Sequence, residues 1–126
     1  MNEHPLKGNR GLERIVKATA YSMRGLRQAW ACETAFQQEV ILAAVMMPAA
    51  LWLGTDWIER AVLIGTVVLV LAVELLNSAV EAAVDRVSLE LHPMAARAKD
   101  MGSAAVFLTL LLCGGTWATA LWSRLT

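Results

Sequence analysis

Charge is scarce in this chain. Only 17% of its 126 residues are charged, and eleven Lys and Arg balance eleven Asp and Glu to zero net charge. That excludes the global basic signal of a nucleic-acid-binding domain. Cysteine is scarce too. Cys32 and Cys113 fall on separate predicted helices, and neither has a Cys or His at metal-ligand spacing, so both are expected to be packing or inert thiols. The first 33 residues are basic and lack an apolar core of the right length, so no cleavable signal peptide is expected. The nucleotide-binding loops of soluble proteins are missing. There is no G-x-x-x-x-G-K-[ST], no Gly-rich kinase loop and no D-F-G. A nucleotide site here would have to be built from helix faces.

What is abundant is apolar. Hydrophobic residues make up 57% of the chain, and the mean hydropathy of +0.50 is rarely seen in a soluble domain. Trp30, Trp52, Trp57, Trp117 and Trp122 sit near the ends of apolar runs, where interfacial aromatic belts occur. The length suits one domain, residues 1–126. Its pattern predicts an all-α integral membrane protein with three spans behind a surface helix. Residues 11–30 read as amphipathic: Ile15, Met23, Leu26 and Trp30 share one face, and Arg14, Lys17, Tyr21, Arg24 and Arg27 the other. Such a helix suits an anionic membrane surface. The spans are expected at 34–53, with Pro48 inside, at 57–85, and at 101–122. Asp56 followed by Glu59 resembles a helix N-terminal capping pair, and Pro93 suits the first turn of the last helix.

The second span carries the most informative pattern. It is uncharged from Ala61 to Val73 and then holds Glu74, Asn77, Ser78, Glu81 and Asp85. At 100° per residue these five fall within an arc of about 100°. Carboxylates at membrane depth cost roughly 2.5–3.5 kcal/mol each even on a mild scale, so a chain that keeps a stripe of them uses them. Hard oxygen ligands on one face suit Mg2+.

The basic residues fix an orientation. Lys7, Arg10, Arg14, Lys17, Arg24 and Arg27 precede the first span, and Arg86, Arg97 and Lys99 lie in the second connection or just after it. Only Arg60 and Arg124 lie on the other side, so the positive-inside rule places the N-terminus in the cytoplasm. The carboxylates Glu33, Glu39, Glu74, Glu81, Asp85, Glu90 and Asp100 then gather at the cytoplasmic face with Arg14, Arg27 and Lys99. Carboxylates, Mg2+ and a cationic clamp are the parts of phosphoryl transfer, and a carboxylate can take the proton of an attacking hydroxyl. The residues alone leave three classes open: a lipid or phosphate enzyme, a small transporter or proton-coupled pump, and a structural protein. Asn77 can equally serve as interhelical glue, and His92 as a cap before Pro93.

The run Glu74-Leu-Leu-Asn77-Ser-Ala-Val-Glu81-Ala-Ala-Val-Asp85-Arg86 resembles the hallmark of the prokaryotic diacylglycerol kinase family. So does Arg97-Ala-Lys99-Asp100-Met-Gly-Ser103-Ala-Ala105, and the earlier stretch from Lys17 to Glu39 matches in order and spacing. The resemblance covers about Arg14 to Trp122. It implies a small kinase of the bacterial inner membrane. Such a kinase forms homotrimers and transfers the ATP γ-phosphate to 1,2-diacylglycerol, with Mg2+ as cofactor. It implies Glu74 as general base and Glu33 and Glu81 as metal ligands. It implies ATP contacts at Arg14, Tyr21, Glu33, Glu81, Glu90, His92, Lys99 and Asp100. Arg14, Arg27, Trp30, Glu39, Glu74, Ser103 and Trp117 are implied along the lipid path, and Asn77 and Asp85 in support. Undecaprenol is an alternative acceptor among relatives.

Overall fold

The computed structural model describes residues 10–87 and 92–126. The described residues form four helices: α1 (Arg10–Cys32), α2 (Thr34–Leu53), α3 (Trp57–Val87) and α4 (Pro93–Leu125). The all-helical class read from the sequence is what is found. α2, α3 and α4 are each long and apolar enough to cross a membrane. The chain divides into two units, residues 1–33 and 34–126.

Local chemistry sets the helix ends. Asp56 Oδ1 accepts from the Glu59 backbone N–H at 2.7 Å, and the Thr55 hydroxyl donates to Glu59 Oε2 at 3.1 Å. One orphan donor at the start of α3 is thereby satisfied. The turn before it is tight at Gly54, where a Cβ would approach the Arg60 backbone nitrogen to 3.0 Å and the Ala50 carbonyl oxygen to 3.1 Å. α4 opens on Pro93, and His92 Nδ1 accepts from the Met94 N–H at 3.0 Å. Its other end closes on Thr126, whose N–H and hydroxyl both donate to the Trp122 carbonyl.

Within residues 34–126, α3 packs chiefly on α4 and less on α2, while α2 and α4 barely touch. The contact layer is made of small residues: Ala43, Ala50, Thr66, Cys113 and Ala120 are buried beside Leu53, Leu63, Val67 and Val70. Lipid tails are as apolar as leucine, so close packing of small residues holds membrane helices together. Trp117 joins the two clusters. Its indole N–H reaches both the Leu63 carbonyl and the Thr66 hydroxyl, each at 3.2 Å.

Most large apolar side chains face outward, among them Phe107, Leu108, Leu111 and Trp122 of α4. Only 6% of the apolar window of α4 is buried. Such a surface is stable where hydrocarbon or another apolar face covers it. At one end of this unit the Arg60 guanidinium stacks 4.5 Å from the Trp57 ring, and Arg124 stacks 4.7 Å from Trp52. Rings and cations of this kind settle at the membrane–water boundary.

Candidate active site

The polar stripe of α3 is graded in depth. Glu74 is 7% exposed, Asn77 and Glu81 are half-buried, and Asp85 is exposed. α2 brings a second carboxyl to the buried end: Glu39 lies against Glu74, in direct reach of it. Glu39 Oε1 is buried and has no hydrogen-bond partner among the described residues. A groove of about 200 Å3 runs from Glu39 between α2, α3 and α4, lined by Leu42, Met46, Val67, Val70, Leu110 and Gly114 among others. One member of the carboxyl pair, Glu39, thus lines an apolar slot.

The shallow end is held by α4. Lys99 Nζ pairs with Asp85 Oδ1 at 2.7 Å and lies close enough to Glu81 to feel its charge. Both ends of the Lys99–Asp85 pair are about half exposed, so its contribution to stability is small. Its effect is to hold a cation beside the carboxylates. Asn77 Nδ2 donates to Glu81 Oε2 over a long 3.5 Å, and Asn77 Oδ1 is buried without a hydrogen-bond partner among the described residues. Asp100 and Ser103 are exposed on the same opening turns of α4. The end of α3 and the start of α4 also frame an open apolar groove of about 480 Å3, lined by Ala83, Val84, Val87, His92, Met94, Ala95 and Ala98.

His92 caps α4, the second of the two roles its position allowed. The cap engages Nδ1 and leaves Nε2 for any further contact. Glu90 lies outside the described residues. Trp117 is not brought to the carboxyl pair. It bonds to Leu63 and Thr66, and Thr66 is eight residues from Glu74, about 12 Å along the helix.

In residues 10–33, taken alone, Arg14, Tyr21 and Arg27 are exposed on α1. Arg14 and Tyr21 share a face, seven residues apart. The Arg24 guanidinium lies 5.4 Å from the Tyr21 ring centre. Trp30 is also largely exposed, near the end of the same helix. Glu33 follows α1, and its N–H donates to the Ala29 carbonyl at 2.8 Å.

Among the described residues, no three His, Cys, Asp or Glu side chains converge into a ready metal cage. Mg2+ does not need one. It typically takes one or two carboxylates and completes an octahedron with water and substrate phosphates. A half-buried Glu81, beside a lysine that can meet phosphate, fits that mode.

Sequence reasoning named these residues but gave Gly102 no role. A Cβ placed on Gly102 would fall on Asn77 Oδ1 and lie 3.3 Å from its Cγ. The only local signal was a glycine inside an otherwise good helical run.

Residues 20–121 match the prokaryotic diacylglycerol kinase family. The chain is 52% identical over 121 residues to a diacylglycerol kinase of Pseudomonas aeruginosa, covering 96% of this chain and 98% of that one. It is 50% identical over 114 residues to a diacylglycerol kinase of Escherichia coli K12, covering 90% and 93%. A Helicobacter pylori diacylglycerol kinase is 44% identical over 115 residues, covering 91% and 86%.

Proposed function

The chain belongs to the prokaryotic diacylglycerol kinase family, and from that premise we propose that it transfers the ATP γ-phosphate to the free hydroxyl of 1,2-diacylglycerol. The products are phosphatidic acid and ADP. The observation that carries the reading is the Glu39–Glu74 pair, with Glu74 7% exposed and Glu39 lining an apolar groove. A water-soluble acceptor has no need of such a setting. A lipid alcohol needs a slot for its chain and a base where its hydroxyl stops.

Glu74 takes the hydroxyl proton as the alcohol oxygen forms its bond to the γ-phosphorus. The bond from that phosphorus to the bridging oxygen breaks, and ADP leaves with the electron pair. Glu39 borders the place of the hydroxyl from α2. Arg27, Trp30 and Ser103 each serve as lipid contacts. Trp117, two turns deeper, holds α4 against α3 and so keeps the slot in shape. Lys99 meets the phosphates, and Asp85 aims it. Arg14, Tyr21, Glu90, His92 and Asp100 complete the nucleotide contacts. Glu81 and Glu33 would hold Mg2+, and Asn77 orients Glu81. Bound Mg2+ supplies positive charge that neutralises the phosphate oxygens as the transition state spreads charge over them.

The protein works in the inner membrane with its N-terminus and the polar end of α3 in the cytoplasm, where ATP is available. The basic residues favour that orientation. α1 lies on the membrane surface. Homotrimer formation covers part of the bare face of α4.

The test is transfer of labelled γ-phosphate in mixed micelles, offering diacylglycerol and undecaprenol side by side, with and without Mg2+. The expected result is Mg2+-dependent label in phosphatidic acid. Label only in the polyprenol would replace the acceptor and keep the mechanism. Label in neither, from folded protein, would remove the kinase reading.

A further inference from the structure

Glycine is among the poorest helix formers, so a glycine inside a helix calls for a reason. Among the described helices, Gly11, Gly25, Gly65, Gly114 and Gly115 all have open space where a Cβ would stand. Gly102 differs. Its missing methyl is the place that Asn77 Oδ1 occupies across the α3–α4 interface. That oxygen is buried and has no hydrogen-bond partner among the described residues. It fills space that a side chain at position 102 would need, a close approach that glycine permits. The other end of the same amide donates to Glu81 Oε2 at 3.5 Å. The amide cannot turn over in place, because its oxygen would then face a carboxylate oxygen.

We infer that Gly102 is a positioning residue for the metal carboxylate. By leaving room for the Asn77 carbonyl, it holds the Asn77 N–H toward Glu81. The inference rests on the proposed role of Glu81 as an Mg2+ ligand. A methyl at position 102 strikes the short end of a side chain with two torsions, and the amide must rotate away. Glu81 then loses its donor. Lys99, already within its field, becomes its nearest strong partner. One added carbon would thus misdirect both the metal ligand and the phosphate clamp.

The experiment compares Gly102→Ala, Asn77→Ala, the double variant and Glu81→Gln. One readout is Mn2+ binding, followed by its electron paramagnetic resonance signal, with a non-hydrolysable ATP analogue and no turnover. The other is the apparent Mg2+ constant of the kinase reaction, measured separately from kcat. Loss of an outer-shell contact typically weakens metal affinity about 10- to 100-fold, and that range is expected for Gly102→Ala and for Asn77→Ala. The double variant should be no weaker than Asn77→Ala, since the atom the methyl strikes is gone. Multiplying effects would overturn the inference, because Gly102 would then act apart from Asn77. Unchanged Mn2+ affinity in Gly102→Ala, with weakened affinity in Glu81→Gln, would also overturn it and leave the ligand role standing. Unchanged affinity in Glu81→Gln would remove the ligand role, and the inference with it. Should Gly102→Ala fail to assemble, Asn77→Ala should restore assembly in the double variant. Failure to do so overturns the inference.

Discussion

Replacing Glu74 by glutamine separates base chemistry from architecture. The amide has nearly the same shape as the carboxyl, and it can donate to Glu39, which lies against it. Packing around this buried position should therefore survive. The loss should appear in turnover. Removing a positioned general base costs about 10^2- to 10^4-fold, or about 2.7–5.4 kcal/mol of barrier at 1.36 kcal/mol per tenfold. Burial argues for the upper half of that range, because at 7% exposure bulk water has little access to stand in as base. The assay is initial rate at saturating ATP, Mg2+ and lipid, with unfolding followed by circular dichroism in the same micelles. The companion Glu39→Gln separates binding from chemistry. It leaves the base in place and alters only the group beside it, so the lipid KM should rise about 2- to 13-fold, the scale of one hydrogen bond of about 0.5–1.5 kcal/mol, while kcat falls far less. A folded Glu74→Gln enzyme within tenfold of the native rate would refute the base assignment. An effect of Glu39→Gln on kcat alone would exchange the two roles.

Three further outcomes follow from the fold. Trp117→Phe should cost about 1 kcal/mol, the net value of a neutral hydrogen bond, whereas Trp117→Ala should cost about 3–5 kcal/mol by opening a cavity between the two clusters. Denaturant titration of both variants checks this, and equal losses would show that the indole N–H, not the ring volume, dominates. Asp56→Ala should lower stability by about 1 kcal/mol through loss of its cap, with kcat unchanged. A kinetic defect there would mean that the far turn communicates with the site. Lys99→Met should leave the unfolding midpoint in place, because the Asp85 pair is half exposed, yet raise the ATP KM by about tenfold or more, the scale of one charge-assisted contact. An unmoved KM would remove Lys99 from the phosphates.

The features legible in the sequence are those carried by one helix at a time. The stripe from Glu74 to Asp85 needs only the helical period, and the Asp56–Glu59 cap needs only neighbours in the chain. Contacts between helices were harder. That Glu39 meets Glu74 depends on how α2 rotates, and α2 is apolar nearly all round, so no stripe fixes its facing side. The Gly102–Asn77 contact joins residues 25 positions apart in sequence. No local pattern distinguishes Gly102 from Gly114, which has open space beside it. Trp117 shows the same limit. Its place near the end of an apolar run suits an interfacial anchor, yet its N–H finds α3 partners that only the α3–α4 register could supply.

The stacked Trp57–Arg60 pair makes α3 a ruler. With this pair at one membrane boundary, where such rings and cations settle, the helix measures the bilayer from there at 1.5 Å per residue. Glu74 comes about 26 Å from Trp57, Asn77 about 30 Å and Glu81 about 36 Å. Hydrocarbon is about 30 Å thick. Glu74 therefore falls about 4 Å short of that thickness from Trp57, and Glu81 about 6 Å beyond it. A few ångströms of extra thickness would submerge Glu81, and a comparable thinning would lift Glu74 past the level of a lipid hydroxyl. On the roles proposed for Glu74 and Glu81, the rate should respond to bilayer thickness, through the count of residues between a tryptophan and a glutamate.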